Sequence, residues 1–120
     1  MVTTVLIIED NQDHRLLIQR ILSRINLDFM IAGNTQEIDR FLERVDLIIL
    51  DMNLSEKWLM SSSEIIAYIR NHHLFKALPI LALTTTRSLF ERKPRAGWDI
   101  LMMKPFDIAE LQQNILRLVG

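Results

Sequence analysis

The chain contains no cysteine, which excludes disulfides, thiol catalysis and thiolate metal sites. It has only three glycines, at positions 33, 97 and 120, and no phosphate-cradling glycine loop can be drawn through them. Neither sign of charge predominates: 14 Lys and Arg face 15 Asp and Glu, a net charge of -1. That balance removes the electrostatic case for direct binding of nucleic acid or of an anionic membrane. Long apolar runs are also missing. The first, Val5 to Ile8, ends at Glu9-Asp10 and is too short for a signal peptide or a membrane span, so the expected compartment is the cytoplasm. What remains is 120 residues, 49% hydrophobic and 24% charged, enough for one ordinary domain over 1–120 with its own core.

Short apolar runs alternate with helix-like segments. The runs are Val5–Ile8, Phe29–Ala32, Leu47–Leu50, Ile80–Leu83 and Ile100–Met103. Runs that are apolar throughout suit strands buried on both faces of a parallel sheet. Between them, Leu17, Ile21 and Ile25 recur at helical spacing, as do Ile38, Phe41, Leu42 and Val45. Later segments carry Ile65, Ile66 and Ile69, then Leu111, Ile115 and Leu118. Asn34 with Glu37, Ser61 with Glu64, and Asp107 with Glu110 have the spacing of a capping box. A fourth helical segment around Arg87 to Lys93 is short, poorly patterned and stopped by Pro94. Strand and helix alternating in this way predict an α/β fold with a doubly wound parallel sheet and helices on both faces. Ligands in such folds bind at the carboxyl ends of the strands.

Those ends carry the polar residues. Glu9-Asp10 follows the first strand, Asp51 the third, Thr84-Thr85 the fourth and Lys104-Pro105 the fifth. Two carboxylates ~4 Å apart repel by about 4 kcal/mol at an effective dielectric of about 20. Three carboxylates and one lysine do not balance, and a divalent cation is the natural remedy. Oxygen ligands without a histidine cluster favour Mg²⁺ (or Mn²⁺) over zinc, with a phosphate oxygen completing the shell. Asp51 would then be a nucleophile forming an acyl phosphate. Thr84 would donate to a phosphoryl oxygen, and Lys104 would neutralise the charge in transfer.

With these motifs in order, the chain resembles the receiver domain of two-component response regulators along essentially its whole length. The residues that carry the resemblance are Val5 to Asn11, Asp46 to Leu54, Leu78 to Thr84 and Met103 to Phe106. It implies a flavodoxin-like five-stranded sheet of order 2-1-3-4-5. It implies that Asp51 accepts phosphate from a histidine kinase or phosphotransfer protein, switching the interaction with a downstream partner or effector domain. Asp10 and Asp51 would ligate the metal with the backbone carbonyl of Asn53, and Glu9 would help through water. Thr84 and Lys104 would contact the phosphoryl group. A cis bond is implied before Pro105, and the residues at Asn53 and Thr85 would tune the lifetime of the phosphate. A homodimer is allowed but not required.

The chain departs from the family after Asp51. Ser55 stands where a proline is usual, Ser62 is the nearest counterpart of a usual glycine, and the loop is about three residues longer. Its Trp58, Leu59 and Met60 either cover the site, meet a partner or pack onto the third helix. Leu101 replaces the family's switch aromatic, and the fourth helix is shortened, which alters the usual output face. These departures motivate an alternative, a phosphorylation-independent pseudo-receiver that binds protein. Neither reading is a turnover enzyme. A hydrolase of the haloacid-dehalogenase type needs a second aspartate where this chain has Asn53. Outside the motifs, His14, adjacent His72-His73, and the cluster Arg87, Arg92, Lys93 and Arg95 are read as surface or structural residues, and the six methionines as packing.

Overall fold

A computed structural model describes residues 2–91 and 97–120. Five strands, β1 (Thr4–Ile8), β2 (Asp28–Ile31), β3 (Leu47–Asp51), β4 (Ile80–Thr84) and β5 (Ile100–Met103), are interleaved with helices α1 (Gln12–Arg24), α2 (Thr35–Phe41), α3 (Ser62–Arg70) and α4 (Ile108–Val119). All strands pair in parallel in the order β2-β1-β3-β4-β5. This is the expected topology. The central strands β1, β3 and β4 are buried on both faces because parallel strands joined by right-handed crossovers carry helices on each side, while the edge strands β2 and β5 are mostly half-buried.

Side-chain alternation divides the core. Leu6, Ile8, Ile48, Leu50 and Ile80 face one side and pack with Ile38 of α2 and Ile65, Ile66 and Ile69 of α3. Val5, Ile7, Leu47, Ile49, Leu81 and Leu83 face the other and meet Ile18, Ile21 and Leu22 of α1 and Leu111 and Ile115 of α4. Each such side chain contributes about 1.5–3 kcal/mol through burial. The buried stripe of α1 is Ile18, Ile21 and Leu22, with Leu17 and Ile25 at its margin. Leu17, Ile21 and Ile25, found by their spacing, lie on this face, which Ile18 and Leu22 complete.

Ser61 caps α3 in a complete, reciprocal capping box with Glu64. Asn34 and Asp107 cap α2 and α4 by accepting from the N–H of Glu37 and Glu110. The Glu37 carboxylate, however, reaches the N–H of Gly33 rather than that of Asn34. The second helical segment tightens to a 3₁₀ turn at Leu42–Arg44, and Val45 is already extended. The fourth is a 3₁₀ turn at Arg87–Glu91. The rest of that segment, with Arg92, Lys93, Pro94 and Arg95 of the basic cluster, lies outside the described residues.

Arg70, at the end of α3, joins three segments. Its guanidinium donates to the carbonyls of Gly97, Lys76 and Leu78 and to Asp99 Oδ2. The same Asp99 oxygen accepts the N–H of Ile80 at the start of β4. Gly97 has a φ of 95°, and an added Cβ would lie 2.4 Å from Ile66 Cγ2, so glycine is required both for the turn and for the close approach to α3. Arg70→Met keeps the aliphatic stem but strips these carbonyls and Asp99 of their donor. It is expected to lower the unfolding free energy by about 2–4 kcal/mol in a urea titration, whereas the exposed Arg117→Met is expected to change it by less than about 0.5 kcal/mol.

Candidate functional site

Parallel register brings the polar strand ends together. Asp51 closes β3 opposite Leu83 of β4, and the N–H of Met52 donates to the Leu83 carbonyl at 2.7 Å. Lys104 leaves β5 with its N–H on the Thr84 carbonyl, also at 2.7 Å. The Lys104–Pro105 bond is cis. Glu9, Asp51, Thr84 and Lys104 are all buried, although each follows or ends an apolar strand.

The centre of this edge is a charged trio. The Lys104 ammonium lies 2.6 Å from Glu9 Oε1 and 3.4 Å from Asp51 Oδ1. Burial first, and then the neighbouring Asp51 carboxyl, push Glu9 up to about 7 against the pull of Lys104. Apart from that ammonium, buried Glu9 Oε1 has no hydrogen-bond partner. His14 is also here. Its imidazole is partly exposed, but Nδ1 is buried 3.8 Å from Glu9 Oε1, and the ring meets Phe106 edge-on. One turn of α1 after the acidic pair, it is a neighbour of the site and not only a surface residue. A buried carboxylate oxygen held only by the Lys104 ammonium, a second carboxylate beside it and a single cation make a hard-oxygen donor set that fits a divalent ion such as Mg²⁺.

A second network links β3 to β4. Asn53 donates its N–H to Asp51 Oδ1 at 2.8 Å. Its side-chain oxygen accepts from the Thr85 N–H at 2.9 Å and from the Thr85 and Thr84 hydroxyls at 3.2 and 3.4 Å. Its amide donates to the Thr86 hydroxyl, and the Thr86 N–H donates to the Thr84 hydroxyl oxygen. On the other side of Asp51, the buried Ser62 hydroxyl donates to the Asp51 carbonyl at 2.6 Å. The resemblance implies a metal-ligating backbone carbonyl and a tuning role for Asn53 and a glycine counterpart for Ser62, without these hydrogen bonds. The side-chain bonds of both depend on register and helix entry, which no local motif encodes.

Asp10 points elsewhere. Its Oδ1 accepts from the Trp58 indole at 2.7 Å and lies 3.5 Å from the Lys57 ammonium, while Oδ2 accepts the Ser55 N–H. Burial acts to raise this carboxyl, but the Trp58 and Ser55 hydrogen bonds outweigh it and hold Asp10 below its ordinary value. Glu9 and Asp51 therefore converge while Asp10 is engaged by the loop after β3. Among the described residues no group of three Asp, Glu or His side chains is arranged around a common metal position. Within that loop Trp58 is buried in the α2–α3 core with Met60 against it, and Leu59 is exposed. Packing onto the third helix and contact with the site are thus both true of Trp58.

Of the residues thought to modulate the site, Thr85 is exposed and bonded to Asn53, Pro105 is exposed, and Leu101 is half-buried on β5. His72 and His73 lie beyond the end of α3 with their rings stacked 5.2 Å apart. His72 Nδ1 accepts the Leu74 N–H, and Phe75 packs beside the His72 ring. They form part of the turn that leads to β4.

The raised Glu9 carboxyl fixes a sign for pH dependence. A carboxyl at about 7 in the fold and near 4.5 when unfolded contributes stability that is complete below the lower value and lost as pH rises through the upper one. With chelator present, Glu9→Gln is expected to remove this loss and to gain roughly 1–3 kcal/mol relative to the parent between pH 5 and pH 8. Urea titrations of both proteins across that range measure the difference, and parallel pH profiles would contradict it.

Comparison with known proteins agrees with this geometry. The model of the response regulator receiver domain matches residues 5–116. None of the curated proteins compared matches the chain. A putative response regulator from Chloroflexus aurantiacus superposes with a TM-score of 0.87 at 24% identity, covering 99% of this chain and 98% of that one. The chemotaxis response regulator CheY4 of Vibrio cholerae gives 0.83 at 24%, covering 98% and 99%. The receiver domain of a sensor histidine kinase from Pseudomonas aeruginosa, solved with magnesium in its active-site cleft, gives 0.84 at 26%, covering 100% and 99%. A family match over nearly all of a chain that also has the parallel order β2-β1-β3-β4-β5 places this protein in the response regulator receiver domain family.

Proposed function

We propose that the chain is a phosphoacceptor receiver in which Asp51 takes a phosphoryl group from a histidine kinase or phosphotransfer protein, in a reaction that needs Mg²⁺ or Mn²⁺. The observation that supports this most is the buried Glu9–Lys104–Asp51 trio, with carboxylates in excess of cations. The magnesium in the active-site cleft of the Pseudomonas receiver supports the choice of cofactor.

Glu9, Asp10, Asp51 and the Asn53 carbonyl would hold the metal. When bound, the ion supplies positive charge to the carboxylates and to the phosphoryl oxygens. The chain's own groups do the rest. The Asn53 N–H on Oδ1 sets the plane of the Asp51 carboxylate. An Asp51 oxygen attacks phosphorus as the donor's N–P bond breaks, and the electron pair leaves with the donor imidazole. Lys104, already 3.4 Å from Asp51, neutralises charge on the transferring group. The Thr84 hydroxyl leaves its weak 3.4 Å contact with Asn53 to donate to a phosphoryl oxygen. The domain spans 1–120 and acts in the cytoplasm on a downstream protein or effector domain, as a switch and not as a turnover enzyme; self-association is allowed. Among the described residues no helix is long and apolar enough to cross a membrane.

A second reading, the phosphorylation-independent binding module, draws support from Asp10, whose carboxylate oxygens accept from the Trp58 indole and the Ser55 N–H. Intact mass after incubation with acetyl phosphate separates the two. The parent with Mg²⁺ is expected to gain one phosphoryl group, and Asp51→Asn or the parent with chelator to gain none. An unmodified parent favours the binding module, and labelling of Asp51→Asn would refute the acceptor assignment. Mg²⁺ at 100 times its dissociation constant is expected to stabilise the fold by about 2.7 kcal/mol, read as a rise in melting temperature that Asp51→Asn diminishes.

A further inference from the structure

We propose that Ser55, Lys57 and Trp58 form a clasp that competes with the divalent cation for Asp10, so that metal entry and release of this loop are one event. The inference rests on the metal reading given above. Three observations carry it. Both oxygens of Asp10 are taken by the loop, Oδ1 by the Trp58 indole at 2.7 Å and Oδ2 by the Ser55 N–H. The Lys57 ammonium stands 3.5 Å from Oδ1, where it supplies the positive charge that a cation would bring. The indole ring also packs among the core side chains of α2 and α3 with Ile65 and Ile66. A substitution that keeps this packing and removes only the N–H is therefore available.

A carboxylate with a charge-assisted hydrogen bond on each oxygen has about half of its acceptor sites committed and part of its charge offset, and a divalent ion at Asp10 repels the Lys57 ammonium. Asp10 stands apart from the Glu9–Asp51–Lys104 trio while its neighbour Glu9 is inside it. Trp58 lies in the stretch that makes this loop longer than the resemblance expects. The same loop continues to Leu59 and Met60, which with Ile38, Ile65 and Tyr68 line a cavity of about 330 Å³ between α2 and α3. Release of Asp10 therefore carries the change from the metal position to that cavity. By linkage, whatever holds the loop off Asp10 tightens metal binding by the same factor.

The test uses the full chain and Mg²⁺ alone. Trp98→Phe leaves Trp58 as the single indole, and its emission is expected to change saturably with Mg²⁺ at the same midpoint as the rise in melting temperature. Trp58→Phe, which keeps the ring in the core, is expected to bind Mg²⁺ about tenfold more tightly, the scale of one lost charge-assisted hydrogen bond. Lys57→Gln, at an exposed position that bears little on folding, is expected to bind about threefold more tightly. Unchanged Trp58 emission with equal Mg²⁺ affinity in parent and variants would overturn the clasp and leave the metal site standing. Weaker binding in both variants would also overturn it, since the loop would then support the metal. No Mg²⁺ response in the parent or in either variant would overturn the clasp and the metal reading together, whereas a response seen only in the variants is the clasp in its strongest form.

Discussion

Two buried carboxylates sharing one ammonium set the terms for the rest of this molecule. Glu9 and Asp51 sit at the carboxyl ends of adjacent strands β1 and β3, with Lys104 reaching in from β5. The sheet supplies the rigidity that such an arrangement needs. Apolar strands pack on both faces, and parallel register leaves no freedom to slide the charged ends apart. Repulsion between the carboxylates is therefore stored by the fold, and a proton on Glu9 or a cation beside it relieves it. On the function proposed above, the same surplus charge that costs stability at neutral pH would draw a divalent cation to the site, and the cation and Lys104 would then face the phosphoryl oxygens.

The parts of this structure that were legible beforehand are those that depend on local chemistry. All five strands were visible as unbroken apolar runs, and Ser61, Asn34 and Asp107 as helix starts, because burial on both faces and orphan N–H groups leave short-range marks in sequence. Glu9, Asp51, Thr84 and Lys104 were found by combining those strands with the rule that ligands bind at their carboxyl ends. What was not legible depends on long-range register. The span from Asn53 to Thr84, Thr85 and Thr86 joins residues more than thirty positions apart. Arg70 reads as an ordinary basic residue in the last turn of a helix, yet it ties α3 to the strands beyond it. The commitment of Asp10 to Trp58, 48 positions away, has no local signature either. An acidic pair after a strand says where the carboxylates begin, and the loop that faces them decides where they point.

That loop makes this receiver unlike a plain copy of its family. Ser55 and Ser62, at the positions where the resemblance leads one to expect a proline and a glycine, each make a specific bond, one through its N–H to Asp10 and the other through its hydroxyl to the Asp51 carbonyl. Trp58 then joins the acidic end of β1 to the α2–α3 core. On the function proposed above, the Trp58 bond to Asp10 and the Ser62 bond to the Asp51 carbonyl would connect the site to the α2–α3 side of the sheet. On the opposite edge, Leu101 offers no aromatic ring to move, and only a short 3₁₀ turn follows β4 among the described residues. Output through the loop side agrees with both features.

The central claim is that Asp51 stands at a metal-dependent phosphoryl site. Fluorine NMR of the protein with beryllofluoride, a phosphoryl mimic, tests it without relying on a phosphodonor. The account predicts slowly exchanging bound fluoride resonances that need Mg²⁺, vanish with chelator and are absent from Asp51→Asn. Free fluoride species alone at saturating Mg²⁺, or bound resonances that persist in Asp51→Asn, would contradict it.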